Sequence, residues 1–170
     1  RTSETIKPQV LQKKFKYSYP FQFKTNDHYQ IPLFNGESFE LSLTTTGCPF
    51  SCSYCSSRSV PYRERELDDL FRELDLFFEK GVRNIWFKDL TFTGNSQRAF
   101  EICHKMIDSN YHFNWITETK LETLNLDLVA KMSLAGCKAI MLGFDSADPE
   151  RLCDNKRTND LTRYPDLIKA

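Results

Sequence analysis

The sequence lacks a long apolar run and an excess of charge of either sign. Among its 170 residues, 23 are Lys or Arg and 23 are Asp or Glu, so the formal net charge is zero. This balance argues against a dominant surface for nucleic acid or for an anionic membrane. No apolar stretch approaches the ~18 residues of a membrane span, and the amino end is unlike a signal peptide. Apolar residues nevertheless make up 40% of the chain, which indicates a globular protein with a core.

The sequence also lacks cysteines dispersed along the chain in pairs, the pattern that would indicate disulfides. Three of the six cysteines instead lie close together as Cys48, Cys52 and Cys55, in the pattern C-x3-C-x2-C. Such clustering favours metal binding in a reducing compartment, and we expect a cytoplasmic protein.

The chain begins at Arg1 rather than Met, which we interpret as the start of a piece of a longer protein.

Hydrophobic periodicity divides the chain into two parts. Residues 1–38 are rich in aromatics, are interrupted by prolines and fit neither a helical nor a strand period, so we predict an extended lead-in. From Phe39 onward, strand patterns alternate with helix patterns, and the predicted strands are 39–44, 82–87, 112–116 and 138–144. Residues typical of helix ends stand between them, namely Gly81, Asn95, Asn125, Gly136 and Asp148.

This order of elements predicts an α/β fold over residues 39–170. Helical crossovers join parallel strands, and a continuously apolar strand such as residues 139–142 is typical of burial on both faces. Four such units do not close a barrel, so the sheet is either small and doubly wound or part of a larger (β/α) barrel. Because the chain does not begin with Met, we favour a partial (β/α) barrel with about four β/α units, truncated before closure.

The cysteine triplet follows the first predicted strand, where parallel α/β proteins collect functional groups. Structural zinc takes four ligands, but the histidines and the other cysteines lie outside this loop, and Cys103 and Cys137 are expected in the core. Disulfide pairing would leave one of the three thiols over. An iron–sulfur cluster usually takes four thiolates, and with three of them a [4Fe–4S] cluster keeps one iron open to a substrate or cofactor.

With Tyr54 before its last cysteine, the triplet resembles the cluster loop of the radical S-adenosylmethionine (SAM) superfamily. The similarity continues over most of residues 39–158. It is closest to the branch often joined to cobalamin-binding domains, and three runs carry it: residues 85–95 (IWFKDLTFTGN), 132–137 (MSLAGC) and 143–146 (GFDS). The resemblance implies a barrel of the radical SAM type and a radical SAM enzyme.

By this resemblance, Cys48, Cys52 and Cys55 ligate a [4Fe–4S] cluster, and the amino and carboxylate groups of SAM chelate the fourth iron. Reductive cleavage of SAM then gives a 5′-deoxyadenosyl radical, which removes a hydrogen atom from a substrate that the sequence does not identify. The family also implies an electron donor such as a flavodoxin or a ferredoxin. No Asp-x-His-x-x-Gly cobalamin motif occurs here, so cobalamin is expected only in the full-length protein.

The resemblance further implies four cofactor-binding residues, which are Tyr54, Asp89, Lys120 and Asp145. Asp89 ends the second predicted strand, where the family contacts the SAM amino group, often through backbone oxygens. Lys120 stands where relatives often have arginine, and Asp145 where they usually have glutamate, near the SAM carboxylate or ribose. Lysine keeps the charge but not the bidentate fork of arginine. No residue is assigned as catalytic.

A function of a different class also fits these residues. The three thiolates and one remote ligand would then hold zinc or a cluster in a non-catalytic structural module. The fold alone does not choose between the two functions, nor does it name a substrate. Bound iron and sulfide together with cleavage of SAM would distinguish the enzyme from such a module.

Overall fold

The computed structural model describes residues 14–17, 31–155, 157 and 165–166. The strands in this part of the chain are β1 (Lys14–Phe15), β2 (Glu40–Ser42), β3 (Thr45–Thr46), β4 (Arg63–Arg65), β5 (Asn84–Phe87), β6 (Asn114–Lys120) and β7 (Cys137–Gly143). The helices are α1 (Leu67–Glu79), α2 (Ser96–Asp108), α3 (Leu126–Leu134) and α4 (Pro149–Asp154), with single 3-10 turns at Pro32–Phe34, Ser56–Ser59, Phe92–Gly94 and Leu121–Thr123. No helix in these described ranges has the length and apolar character needed to cross a bilayer. Most of the predicted lead-in, residues 1–13 and 18–30, lies outside the described residues, and its boundary at residue 38 stays a prediction.

The larger sheet has four parallel strands in the order β2, β5, β6 and β7, which is also their order along the chain. Helices α1, α2 and α3 lie in the crossovers between successive strands. A doubly wound sheet reverses its strand order at a switch point, whereas a barrel adds strands in one direction. The observed order is therefore that of a (β/α) barrel.

The three long helices share one face of this sheet. Ile85 and Phe87 of β5 and Trp115 of β6 point to that face and join side chains of α1, α2 and α3 in one hydrophobic core. Side chains alternate along a strand, so Trp86 and Ile116, which are register partners, lie on the opposite face. Helices on one side are the arrangement of a (β/α) barrel, so the predicted barrel units are confirmed and the doubly wound alternative is wrong for these residues.

The helices begin and end at the capping residues that the sequence predicts. Asn95 and Asn125 cap α2 and α3, because each side-chain oxygen accepts a hydrogen bond from the backbone N–H three residues later, at 3.2 and 2.8 Å. Gly81 and Gly136 follow α1 and α3 with φ of 72° and 95°, which side chains with a Cβ disfavour. Asp148 caps α4, with Pro149 at its first position.

Two parts of the architecture differ from the predictions. Strand β6 runs from Asn114 to Lys120, whereas the predicted strand covers residues 112–116. The observed strand thus begins two residues later and continues into polar residues. The sequence also does not predict a second sheet, in which β4 pairs parallel with β1 and antiparallel with β3. Strands of two or three residues are too short to show a period of two, so only their long-range pairing reveals them.

Candidate functional site

The cysteine loop is closed at its base by the antiparallel pairing of β3 with β4, which holds the two ends of residues 47–62 together. Gly47 opens the loop with φ of 71°. A Cβ at this position would lie 2.2 Å from the carbonyl oxygen of Pro61, closer than any side chain can approach. Glycine is therefore needed here both for its backbone conformation and for the close approach of the two loop ends.

Replacement of Gly47 by alanine is expected to destabilise the protein more than the same change at Gly81. Both glycines have a positive φ, 71° and 72°, so alanine meets a similar backbone strain of ~1–2 kcal/mol at either position. Only at Gly47 does the new methyl group also meet backbone atoms, whereas nothing lies within 4 Å of a Cβ at Gly81. Urea unfolding of the two variants measures the difference, which we expect to exceed ~1 kcal/mol. Equal losses of stability would contradict the close approach at Gly47.

The three loop cysteines lie at the carboxyl end of the larger sheet. Cys52 is buried, with 7% of its surface exposed, Cys48 and Cys55 are half-buried, and all three are free thiols. The N–H of Cys55 donates to the carbonyl oxygen of Cys52 at 3.1 Å, which makes a tight turn between these two residues. The sulfur of Cys48 lies 3.3 Å from the hydroxyl of Thr91, which follows β5. Hydrogen bonds to ligand sulfurs are among the contacts that tune iron–sulfur sites.

These thiols are not arranged around a single metal ion. Within the described residues, no three His, Cys, Asp or Glu side chains converge on a point where one ion could be held. Mononuclear structural zinc needs four such ligands, so the zinc version of the structural-module hypothesis finds no ligand set in this part of the chain. The thiolates of a [4Fe–4S] cluster each bind a different iron and stand further apart. Three free thiols on one loop fit that group.

Asp89 is buried beneath the loop rather than exposed at the strand end. Its carboxylate accepts hydrogen bonds from the N–H groups of Thr44 and Thr45, at 2.8 and 3.0 Å, and from the hydroxyl of Thr44. Burial raises the pKa of Asp89 to about 6, although these hydrogen bonds act to lower it. The side chain therefore fixes the backbone that leads into the cysteine loop. A contact of Asp89 with SAM stays a prediction.

Lys120, at the end of β6, brings a positive charge to the second cysteine. Its Nζ lies 3.7 Å from the sulfur of Cys52 and 4.1 Å from the ring centre of Phe50, a cation–π contact. The same Nζ is 3.7 Å from a carboxylate oxygen of Glu122. Lys120 thus lies against the cysteine loop, and its contact with SAM stays a prediction.

The other two predicted residues, Tyr54 and Asp145, contact each other. The hydroxyl of Tyr54 donates to the carboxylate of Asp145, which follows β7. Although 58% of Tyr54 is exposed, partial desolvation of its hydroxyl and this hydrogen bond raise the pKa of Tyr54 to about 12. The pair joins the cysteine loop to the end of β7, while a contact of either residue with a cofactor stays a prediction.

Arg157 and Glu122 complete this group, although no sequence pattern marks either of them. Arg157 forms ion pairs with both Asp145 and Glu122. Burial acts to raise the pKa of Glu122, but hydrogen bonding to Arg157 and the charge of Lys120 hold that pKa below its usual range. The partners lie 12 and 35 residues from Arg157 in the chain, so only the fold brings them together.

Comparison with known proteins identifies the family. A family model of the Radical SAM superfamily matches residues 42–170, which include the cysteine loop and strands β5, β6 and β7. The chain belongs to the radical SAM superfamily. The predicted resemblance is therefore confirmed, and SAM and an iron–sulfur cluster are the cofactors that this family implies.

Three curated relatives show the extent of the similarity. The chain is 31% identical over 122 residues to an uncharacterized methyltransferase of Pyrococcus horikoshii, a match that covers 69% of this chain and 27% of the relative. It is 27% identical over 134 residues to bacteriochlorophyllide d C-12(1)-methyltransferase of Chlorobaculum tepidum, covering 74% and 29% of the two chains. It is 35% identical over 98 residues to the ribosomal protein uS12 methylthiotransferase RimO of Chlorobium phaeovibrioides, covering 53% and 23%. The radical SAM chain thus spans about a quarter of the length of the curated relatives it matches.

A solved structure supports the fold. The radical SAM chain resembles OxsB, a cobalamin-dependent S-adenosylmethionine radical enzyme, in its structure with aqua-cobalamin and S-adenosylmethionine bound. The TM-score is 0.60 at 18% identity, and the match covers 71% of this chain and 20% of that one. At this identity the likeness supports the barrel-type fold alone.

Proposed function

We propose that the full-length protein is a radical SAM enzyme in which Cys48, Cys52 and Cys55 hold a [4Fe–4S] cluster. The observation that supports this most is the placement of three free thiols on a loop closed by β3 and β4, beside the carboxyl ends of parallel strands. Barrels of parallel strands place their active sites at this end. When bound and reduced, such a cluster supplies the electron that cleaves SAM to a 5′-deoxyadenosyl radical, which removes a hydrogen atom from the substrate.

The surrounding residues have separate tasks in this proposal. Lys120 places a positive charge 3.7 Å from the sulfur of Cys52 and supplies charge to the cofactor site. Asp145 and the backbone oxygen of Asp89 are the acceptors that we assign to SAM. The face of the sheet opposite α1, α2 and α3, which carries Trp86, would be the interior of the closed barrel and would shield the reacting groups from water.

The reaction class that we propose to test first is transfer of a methyl or methylthio group. The curated relatives are named as methyltransferases or as a methylthiotransferase, and the structural neighbour is named as cobalamin-dependent. Cobalamin belongs to this proposal only for the full-length protein.

The proposed electron donor is a flavodoxin or a ferredoxin. The proposed compartment is the cytoplasm, where six free thiols stay reduced.

Anaerobic reconstitution of the full-length protein tests the proposed function. We expect about four irons and four sulfides per chain, and release of 5′-deoxyadenosine when the reduced protein receives SAM. Metal analysis and chromatography of the products measure the two results. Stoichiometric zinc in place of iron, or a cluster that is indifferent to SAM, would support the structural module and defeat the enzyme.

A further inference from the structure

Every side-chain N–H of Arg157 has an acceptor within the protein. Nε and Nη2 donate to the two carboxylate oxygens of Glu122, the second bond at 2.8 Å. Nη2 also donates to the carbonyl oxygen of Gly143 at 2.8 Å, while Nη1 donates to Asp145 and, at 3.5 Å, to the hydroxyl of Tyr54. A guanidinium group has five N–H donors. These five contacts leave no donor of Arg157 for a bound ligand.

The position of Arg157 is unusual for an arginine, because only 3% of its side chain is exposed. Its pair with Glu122 uses two parallel charge-assisted hydrogen bonds, a geometry that fixes direction as well as distance. The carboxylates of Glu122 and Asp145 together balance the charges of Arg157 and Lys120. The group is therefore neutral as a whole, and each member is held by at least one other.

Two chains of contacts run from Arg157 to the cysteine loop. One passes through Asp145 to Tyr54, which directly precedes the third cysteine. The other passes through Glu122 to Lys120, whose Nζ lies 3.7 Å from the sulfur of Cys52. Arg157 therefore reaches both ends of the short turn between the second and third cysteines.

The residue two positions before Arg157 holds the same turn. The N–H of Ser53 donates to the carbonyl oxygen of Asn155 at 3.4 Å, and the hydroxyl of Ser53 donates to the side-chain oxygen of Asn155 at 3.0 Å. Ser53 and Tyr54 are the only residues between Cys52 and Cys55. Both are thus tied to the segment that follows α4.

We propose that Arg157 is a positioning residue of the radical SAM site. It fixes residues 53–54 between two cluster ligands and holds the carboxylate of Asp145 at the end of β7, without itself touching the cofactor. This inference rests on the proposed function for its effect on SAM. Its effect on the loop does not need a cluster, so the two can be tested separately.

Hydrogen exchange in the full-length protein before reconstitution tests the effect on the loop. We expect Arg157→Gln to raise the exchange rates of the amides of residues 53–55 at least tenfold over the wild type. The matched control is Arg151→Gln on α4, because the Arg151 side chain is 77% exposed and pairs with Asp148 at the surface. Unchanged exchange in Arg157→Gln, or equal changes in both variants, would overturn the proposal.

Titration of the reconstituted, reduced protein with SAM, followed by electron paramagnetic resonance, tests the effect on the cofactor. We expect Arg157→Gln to keep the iron content of the wild type and to bind SAM about 10–100-fold more weakly, the usual effect of losing a residue that orients ligands. Arg157→Lys should not restore the affinity, because lysine keeps the charge but cannot make the forked pair with Glu122. Full rescue by lysine, or unchanged affinity in Arg157→Gln, would contradict the positioning role.

A double variant tests whether Arg157 acts through Tyr54. If Arg157 acts through Tyr54, the loss of affinity in Arg157→Gln combined with Tyr54→Phe is smaller than the product of the two single losses. Losses that multiply would mean that the two residues act independently, which would overturn the route from Arg157 through Asp145 to Tyr54. A wild-type protein without a cluster would instead refute the proposed function, and hydrogen exchange would then decide the role of Arg157.

Discussion

Replacement of Cys52 by alanine is expected to abolish cluster assembly and, with it, all cleavage of SAM. Cys52 is the central cysteine of the triplet, only 7% of it is exposed, and its sulfur contacts Lys120. A [4Fe–4S] cluster held by three protein thiolates has no spare ligand, so the loss of one leaves two irons without a protein contact. After anaerobic reconstitution, iron and sulfide should fall from about four of each per chain to background.

The control for this experiment is Cys153→Ala. Cys153 is exposed on α4 and lies outside the loop, so its variant should keep the iron content of the wild type. Circular dichroism of both variants checks that the fold is retained. An intact cluster in Cys52→Ala would refute the ligand assignment, and equal loss in both variants would show that the effect is not specific to the loop.

The parts of this structure that sequence could predict depend on residues close together in the chain. Asn95 and Asn125 cap their helices through the N–H three residues later, so the signal and the structure share one short segment. Gly81 and Gly136 take the left-handed conformation that ends a helix, as their places after apolar helical patterns predict. The order of strands and helices follows from the same local patterns. These patterns fit a doubly wound sheet as well as a barrel, and the spatial order of the strands and the shared helical face decide for the barrel.

The parts that sequence could not predict depend on contacts between distant segments. Asp89 stands at a strand end where exposure is expected, but its carboxylate turns inward to Thr44, 45 residues earlier. Arg157 follows a short helix in a segment rich in charge, and nothing local distinguishes it from Arg151. Arg157 is buried because it packs at the ends of β6 and β7, whereas Arg151 stays in solvent.

The cysteine loop shows both kinds of information in one segment. The spacing of the three thiols is local and indicates the cofactor. The contacts that hold the loop are not local, because β4 closes its base, Asp89 supports β3 before it and Arg157 contacts Tyr54 in the turn between Cys52 and Cys55. A motif match by itself therefore predicts ligands, whereas the fold shows which residues contact the loop that carries them.

Replacement of Asp89 by alanine is expected to lower the free energy of unfolding by about 2–5 kcal/mol. The change removes the acceptor of two backbone N–H groups and one hydroxyl, all on Thr44 and Thr45, of which at most 1% is exposed. Water cannot readily satisfy donors that are buried this deeply, and each unsatisfied donor costs about 1–3 kcal/mol. Urea unfolding of the protein without a cluster measures the loss, and a loss below about 1 kcal/mol would contradict this role of Asp89.

The conservative control is Asp89→Asn, because an amide oxygen can accept from both N–H groups while the amide nitrogen donates to the hydroxyl of Thr44.

Comparison with Asp89→Asn also isolates the part of the pH dependence of stability that comes from ionisation of Asp89. Burial raises the pKa of Asp89 from 3.8 to about 6, so the folded state holds the proton more tightly than the unfolded state. The stability that this group contributes is therefore fully present below about pH 4 and is lost as the pH rises through about 6. The free energy of unfolding of the wild type, measured relative to Asp89→Asn, should fall over this window, and a rise would mean that the hydrogen bonds from Thr44 and Thr45 outweigh burial.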